Sequence, residues 1–220
     1  MRLKYAITIG DPKSPGIEYA GRSTGTSHLT KADILTAMGM VQTHEPAGMA
    51  LIYAKYTKDK SAAEKAAIEL EKFASGIRRQ YQTEANSADM TAAIQLLAAF
   101  VLEDYCRTAD TPGAKCRCGG RCEVLDVKTS QRAGYQVMKP CPRCKGTGLK
   151  PLTHTRVHHA LIRFLPVSQP TYSRRWKPLY DAMLSWCYQQ ESAAERCYND
   201  ITGLRPAVTE TGEKLQEVRQ

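Results

Sequence analysis

Apolar residues recur at steps of three and four along most of this chain, which is the period of an amphipathic α-helix. One such stripe consists of Met90, Ile94, Leu97, Val101 and Tyr105. The pattern therefore predicts a mainly α fold. Four helices are expected before residue 110. Thr30 caps the first, Pro46 begins the second, Ser61 with Glu64 forms a capping box at the third, and the fourth follows Ser87.

Helical periodicity is interrupted at both ends of the chain and in its middle. Residues 1–28 are rich in Pro, Gly, Ser and Thr and are predicted to form a flexible N-terminal arm, and residues 203–220 are predicted to be a polar, frayed tail. Between them we expect a helical region over 29–110, a metal-binding insert over 111–150 and a second helical region over 151–202.

Two glycines stand beside methionines in the first predicted helices. Gly39 lies between Met38 and Met40, and Gly48 precedes Met49. Because glycine lets a neighbouring backbone approach, we expect both positions to mark close helix packing. A methionine-lined groove for a partner is the alternative.

Five of the eight cysteines fall within one stretch of 29 residues. Cys141 and Cys144 have the Cys-X-X-Cys spacing at which two thiolates reach one ion from a single tight turn. The upstream group is irregular, because one residue separates its first two cysteines and three residues separate the second from the third. The predicted ligands of a structural Zn²⁺ site are Cys116, Cys118, Cys141 and Cys144, with Cys122 as the alternative ligand.

A disulfide framework is the alternative reading of these cysteines. Residues Met1 to Ile9 lack the apolar run of a signal peptide, and Cys106, Cys187 and Cys197 fall at helix-like positions among apolar residues. A reducing cytosol therefore fits better than an oxidising compartment. No apolar stretch is long enough to cross a membrane.

Residues between the two cysteine groups predict a short β-hairpin. Val124, Leu125 and Val127 precede a turn near Gly134, and Tyr135 follows it. The histidines just beyond the insert have two readings. They can be extra metal ligands, or they can cap and pack a helix, as such histidines more often do; they are His154, His158 and His159.

The formal net charge of +9 is concentrated in one block. From Cys106 to Pro178 there are 15 Lys plus Arg against 3 Asp plus Glu, or +12, while the remaining residues hold 16 against 19, or −3. A basic block that coincides with a zinc loop is typical of a nucleic-acid surface. A solvated basic face is the alternative.

Sequence signals after the insert predict a helix-turn-helix. A helix over Thr153 to Leu165 ends at Pro166, and Ser168 can cap a second short helix that reaches Trp176. A separate long helix is predicted from Pro178 to about Ile201. The second helix of such a motif enters the DNA major groove. An ordinary helical corner with solvated arginines is the alternative. The predicted DNA-binding residues are Gln169, Thr171, Tyr172, Arg174, Arg175 and Lys177.

Enzyme signatures are lacking in the sequence. There is no Walker-type phosphate loop, dinucleotide fingerprint, nucleophile elbow or His-Glu-X-X-His. A four-thiolate zinc site is also closed to a reacting water, so the predicted metal is structural. We expect a non-enzymatic protein, and the basic block lacks the carboxylate cluster that a zinc-dependent nuclease would need.

Seven segments match one known pattern in order and spacing over nearly the whole chain. They are Ser14-Pro15, Ala37-Met-Gly-Met40, Asp104-Tyr-Cys-Arg107, Thr111-Pro-Gly-Ala-Lys-Cys116, Cys141-Pro-Arg-Cys144-Lys-Gly, Gln169-Pro-Thr-Tyr-Ser-Arg174 and Lys177-Pro-Leu-Tyr-Asp181. These segments resemble the late-gene antitermination protein Q family of lambdoid bacteriophages, in its lambda-like branch.

The resemblance implies a transcription antitermination factor in the cytoplasm of a bacterial host cell. Such a protein binds double-stranded promoter DNA, engages paused RNA polymerase that still carries its sigma factor, and travels with it through terminators, assisted by NusA. It implies a mainly helical fold with an inserted zinc module, and zinc ligation by Cys116, Cys141 and Cys144. The family's first knuckle is Cys-X-X-Cys whereas this chain has Cys-X-Cys, so the resemblance leaves the fourth ligand open. Self-association on DNA is also left open.

A zinc-dependent RNA-binding module and a plain DNA-binding regulator are the alternative functions. A chaperone-like knuckle is a further reading, because Cys141 to Gly148 follows the pattern Cys-X-X-Cys-X-Gly-X-Gly. J-domain chaperones carry several regular copies of that pattern, and this sequence carries one.

Overall fold

The computed structural model of the protein describes residues 3–10, 29–81, 88–150 and 152–203. This part of the chain is mainly helical, as predicted. Within it, no helix is long and apolar enough to cross a membrane. The elements in chain order are α1 (Leu3–Gly10), α2 (Lys31–His44), α3 (Pro46–Ile52), a π-helical turn (Tyr53–Thr57), α4 (Lys60–Tyr81), α5 (Ala88–Tyr105), β1 (Glu123–Leu125), α6 (Val127–Ala133), β2 (Met138–Pro140), α7 (His154–Leu161), α8 (Gln169–Thr171), a second π-helical turn (Tyr172–Trp176) and α9 (Lys177–Thr202).

Helix α1 differs from the flexible arm predicted over residues 1–28. Leu3, Ala6 and Ile7 recur at helical spacing and are buried, so the beginning of the chain is packed rather than loose. Eight residues are too few for this periodicity to stand out from the sequence. The rest of the predicted arm from residue 11, and the predicted polar tail from residue 204, lie outside the described residues.

Two helix starts agree with the sequence signals. Thr30 Oγ1 accepts a hydrogen bond from the Asp33 backbone N–H at 3.2 Å, and the Asp33 carboxylate accepts one from the Thr30 N–H at 2.9 Å. This reciprocal pair is a capping box at the start of α2. Pro46 begins α3, as predicted. The buried stripe of α2 consists of Ile34, Ala37, Met38 and Val41, and Leu35 beside it is 47% exposed.

The start of α4 requires a correction. Helix α4 already includes Ser61, so the predicted capping box of Ser61 with Glu64 is wrong. Asp59 fills that role, since its carboxylate accepts from the Ser61 N–H at 2.9 Å and its carbonyl accepts from the Ala63 N–H at 3.1 Å.

The chain divides into two compact units, residues 1–49 with 190–220, and residues 50–189. In the first unit the buried residues come from α1, α2, the beginning of α3 and the end of α9. In the second unit α5 carries the apolar stripe predicted from the sequence, and all five of its members are buried. Phe73 of α4 stacks on Trp186 of α9 with ring centroids 5.2 Å apart, and Val157 and Leu161 of α7 join the same core.

Gly48 and Gly39 have different surroundings. A Cβ added at Gly48 would overlap the carbonyl oxygen of Gln190 and would lie 2.8 Å from the Ala194 Cβ, so α3 and the end of α9 meet there. Close packing at this glycine is confirmed. At Gly39 no atom lies within 4 Å of such a Cβ, so the same prediction is wrong there.

We expect Gly48→Ala to destabilise the protein by about 1–3 kcal/mol, because the new methyl group must displace the α9 backbone. Gly39→Ala is the matched control, since it removes a helical glycine in open space and should stabilise by about 0.5–1 kcal/mol. Thermal unfolding followed by circular dichroism measures both changes. Equal shifts in the two variants would contradict the close approach at Gly48.

Candidate functional site

The cysteine-rich insert folds as β1, α6 and β2 between two cysteine knuckles. The two strands pair antiparallel with Leu125 opposite Met138, so a β-hairpin is present as predicted, although Val127 lies in α6 and Tyr135 precedes β2. A helix lies between its strands, which was not predicted. Its signals were in the sequence, because Asp126 accepts the Thr129 N–H at 3.5 Å as an N-cap and Gly134 ends the helix at a positive φ of 75°.

Four cysteine sulfurs converge where the two knuckles meet. Cys116, Cys118, Cys141 and Cys144 place their Sγ atoms within 4.8 Å of one another. The Cys116–Cys141 sulfur distance is 3.9 Å and the Cys118–Cys144 distance is 3.8 Å. Four sulfurs at 2.3 Å from a tetrahedral zinc ion would lie about 3.8 Å apart. The arrangement can therefore hold one metal ion with tetrahedral thiolate coordination.

Backbone groups favour the thiolate form of Cys141. Hydrogen bonds from the N–H groups of Cys144 and Arg143 lower the pKa of the Cys141 thiol to about 7. The tight turn between Cys141 and Cys144 brings these donors to the sulfur, as the spacing suggested. Gly148, at a φ of 72°, lies so close to the first knuckle that an added Cβ would be 3.1 Å from the Gly120 carbonyl oxygen.

Cys122, the alternative ligand, lies outside the four-sulfur set. It is only partly buried, its backbone has a positive φ of 65°, and its thiol donates to the Gly120 carbonyl at 3.4 Å. Burial is the largest cause that raises the pKa of the Cys122 thiol, and the charges of the nearby cysteines raise this pKa further. Cys122 therefore lies next to the cluster. The structure thus brings together the four cysteines favoured from the sequence.

The insert has almost no apolar core apart from these cysteines. Val124 is the partly buried hydrophobic residue that packs against them. Four other large apolar side chains of the insert face solvent, with exposed fractions of 44% for Leu125, 55% for Val127, 70% for Tyr135 and 46% for Met138. Backbone hydrogen bonds also join the two knuckles, such as that from the Cys141 N–H to the Cys122 carbonyl at 2.7 Å. Among side chains, the sulfurs, or a metal ion held by them, supply the main contact between the knuckles.

We expect the purified chain to contain one tightly bound metal ion. Cys141→Ser should abolish stoichiometric binding, because three thiolates leave the tetrahedral set incomplete, and it should loosen the insert. Cys122→Ser is the matched control in the same module and should retain the metal. Native mass spectrometry measures the stoichiometry. Full retention by Cys141→Ser, or loss in Cys122→Ser, would contradict the assignment of the four sulfurs.

The region after the insert forms a helix, a turn and a second helix, with two differences from the prediction. Helix α7 ends at Leu161 instead of Leu165, whereas Ser168 caps α8 as predicted, its Oγ accepting the Thr171 N–H at 3.4 Å. The second helix does not end at Trp176. Helix α8, the π-helical turn and α9 follow without a break from Gln169 to Thr202, so Pro178 lies inside one long helical run.

Residues of the predicted DNA-binding set differ in accessibility. Gln169, Arg174 and Arg175 are exposed and Thr171 is partly buried. Lys177 forms an ion pair with Asp181 at 2.5 Å. Tyr172 is 1% exposed, which removes it from the set, because its ring faces the core of the helical region and is inaccessible to a DNA base.

Tyr172 belongs to a buried network with two of the histidines. Its hydroxyl lies 3.1 Å from His154 Nδ1, and burial raises the pKa of this tyrosine to about 12. His158 Nε2 lies 2.9 Å from the Val167 carbonyl oxygen, so this ring closes the turn between α7 and α8. Both contacts confirm the packing interpretation for His154 and His158, whereas His159 is exposed.

The sequence did not indicate the part of this network that reaches α5. Tyr180 donates to the Asp104 carboxylate and to the Phe100 carbonyl, both at 3.3 Å, and burial raises the pKa of Asp104. The Arg107 Nε lies 3.7 Å from the same carboxylate. The segments that carry the resemblance contain Asp104, Arg107 and Tyr180, but no spacing rule predicts that they meet.

Known proteins align with the region that contains these features. A family profile described as "Antitermination protein Q" matches residues 110–195. The chain is 36% identical over 206 residues to the antitermination protein Q of Escherichia phage lambda and to that of Salmonella phage P22, with 92% of this chain and 100% of each relative covered. The counterpart in Escherichia phage HK022 is 36% identical over 205 residues, with 91% and 99% covered.

These relatives are bacteriophage antitermination proteins, and they align with this chain over nearly the full length of both partners. The chain belongs to the antitermination protein Q family.

Proposed function

We propose that this chain is a transcription antitermination factor that makes bacterial RNA polymerase read through terminators of phage late genes. The observation that carries the proposal is the 36% identity over 92% of the chain to relatives named antitermination proteins. The matched profile covers both the four-cysteine cluster and the exposed arginines after it. It acts in the bacterial host cell as a regulator, and no catalytic step is assigned to it.

The metal ion in the proposed mechanism is zinc. A set of four thiolates at tetrahedral spacing suits zinc, whereas magnesium and calcium prefer oxygen ligands. Since four sulfurs complete the coordination, no position remains for a substrate or a reacting water. When bound, the ion neutralises the thiolates and fixes the two knuckles. The residues of the insert then form a stable basic module.

Promoter DNA is the proposed first partner. The block from Cys106 to Pro178 carries a formal charge of +12, which suits a phosphate backbone. Arg174 and Arg175 are exposed near the start of the second helix, where base edges are read in helix-turn-helix proteins. Lys177 can contact a phosphate only if its ion pair with Asp181 is partly broken.

RNA polymerase carrying its sigma factor is the proposed second partner, with NusA as an accessory factor. DNA binding brings the protein to the polymerase paused near the promoter, and this contact must break when the enzyme leaves. We therefore expect a moderate DNA affinity that falls steeply with salt, because the contact is dominated by phosphates.

Replacing the exposed arginines tests the DNA interface. If either arginine bonds a base edge, Arg174→Ala or Arg175→Ala should cost about 1–3 kcal/mol on the cognate duplex and less on a scrambled duplex. Lys65→Ala is the control, since it removes an exposed positive charge on α4, outside the basic block, and should leave DNA affinity unchanged. Binding titrations at fixed salt measure all three variants. Equal losses of binding affinity on both duplexes would indicate that the arginines contact only phosphates.

Single-round transcription with purified bacterial polymerase tests antitermination itself. Full-length RNA beyond a terminator should increase when the template carries the matched late promoter and should stay constant with an unrelated promoter. Arg174→Ala serves as a loading-defective control on the matched template. Unchanged read-through in a buffer where DNA binding is measured would rule out antitermination and favour a plain DNA-binding regulator. Binding of single-stranded RNA in preference to the duplex would favour the RNA-binding alternative.

A further inference from the structure

A cleft of about 710 Å³ lies in the unit formed by residues 50–189, apart from both features described above. Its lining contains none of the four clustered cysteines and none of the proposed DNA-binding residues. Its walls include the end of α5, the segment that leads into the insert, and the beginning of α7. The charged residues that line it are Lys58, Glu103, Arg107, Asp110, Lys150 and Arg156.

Positive charge predominates in this cleft, with four cationic groups against two carboxylates. Arg156 is paired with Glu103 at 3.1 Å, and Arg107 is paired at 3.7 Å with Asp104, which does not line the cleft. Lys58 donates to the Cys106 carbonyl at 2.9 Å, and Arg107 donates to the Lys150 carbonyl at 2.7 Å. These bonds hold two cationic groups in place and leave further N–H donors on each, because an ammonium has three and a guanidinium five. Within the described part of the chain, neither lysine has a carboxylate partner.

The rest of the lining is apolar or small. Pro112, Ala114 and Leu152 contribute carbon surface beside the cationic groups. A ligand that suits such a cleft has an anionic group for the lysines and arginines and a flat, mostly apolar part for the carbon surface beside them. The volume is in the range of small-molecule and cofactor sites. A nucleotide has both parts and a fitting size.

We propose that this cleft binds a nucleotide unit, with its phosphate at Lys58, Lys150 and Arg107 and its base against Pro112 and Leu152. The same chemistry is offered by a free nucleotide and by one residue of a single-stranded nucleic acid. This inference is independent of the proposed antitermination activity, because it concerns a different set of residues.

The position of the cleft gives binding a structural consequence. Two chain segments join the insert to the helices, and they pair through the Lys115–Leu149 bridge and the Lys150 N–H to Ala114 carbonyl bond of 2.7 Å. Both segments contribute to the lining, through Ala114 and Lys150 among others. A phosphate held between them would brace the base of the zinc module.

Isothermal titration of the full chain with its metal bound tests the proposal. Adenosine monophosphate should bind saturably, and adenosine and inorganic phosphate should each bind at least about tenfold more weakly, since each lacks one half of the recognised group. An adenine trinucleotide distinguishes the two sources. Tighter binding than the mononucleotide assigns the cleft to a nucleic-acid strand, and equal or weaker binding assigns it to a free nucleotide.

Matched lysine variants separate the cleft from the general basic surface. Lys150→Met should weaken binding of adenosine monophosphate about tenfold, and Lys150→Arg should largely restore it. Lys128→Met removes the same charge from the exposed helix α6 and should leave the affinity unchanged. Thermal unfolding of each variant confirms that it is folded. Absence of saturable binding, or equal losses in Lys128→Met and Lys150→Met, would overturn the proposal.

Discussion

The insert between α5 and α7 depends on the convergence of four cysteine sulfurs. This segment has two three-residue strands, a two-turn helix and many glycine turns, and its large apolar side chains are mostly exposed. Burial of hydrophobic surface cannot stabilise such a segment. Four sulfurs within 4.8 Å also cannot all be ionised without a compensating cation. A bound metal ion would supply the compensating positive charge. It would also stabilise the segment, since the free energy of metal binding becomes folding free energy.

A different kind of interaction organises the helices next to the insert. Tyr180, Asp104, His154 and Tyr172 link α5, α7 and the long helical run of α8 and α9 through buried polar contacts. Tyr180 and Tyr172 are almost completely enclosed, so loss of one partner would leave a buried polar group unsatisfied. This network fixes where α8 begins relative to α7. It therefore sets the position of the exposed Arg174 and Arg175.

Much of the fold could be predicted because local signals were strong. The apolar stripe of α5 and the caps at Thr30 and Ser168 agree with the structure. The cysteine spacing also selected the four sulfurs that converge, since Cys-X-X-Cys confines two thiols to one turn and leaves few partners upstream. Long-range contacts were not predictable in this way. The meeting of Asp104 with Tyr180 depends on tertiary packing, as does the cleft beside Lys150.

The misplaced helix boundary at Pro178 has a local physical cause. Proline lacks an N–H and normally interrupts the i to i−4 hydrogen bonds of an α-helix. Here the turn just before it is π-helical, and the Lys177 N–H bonds to the Tyr172 carbonyl five residues earlier. The helix thus changes its bonding pattern before the proline and continues. The same turn directs Tyr172 and Trp176 into the core, which sequence periodicity alone did not reveal.

Extended X-ray absorption fine structure at the zinc edge of the purified chain measures the atoms bound to the metal ion. We expect one zinc ion with four sulfur neighbours at about 2.3 Å and no nitrogen or oxygen neighbour. This result would follow if Cys116, Cys118, Cys141 and Cys144 hold the metal as their sulfur spacing indicates. A first shell with nitrogen or oxygen atoms, or with fewer than four sulfurs, would contradict it.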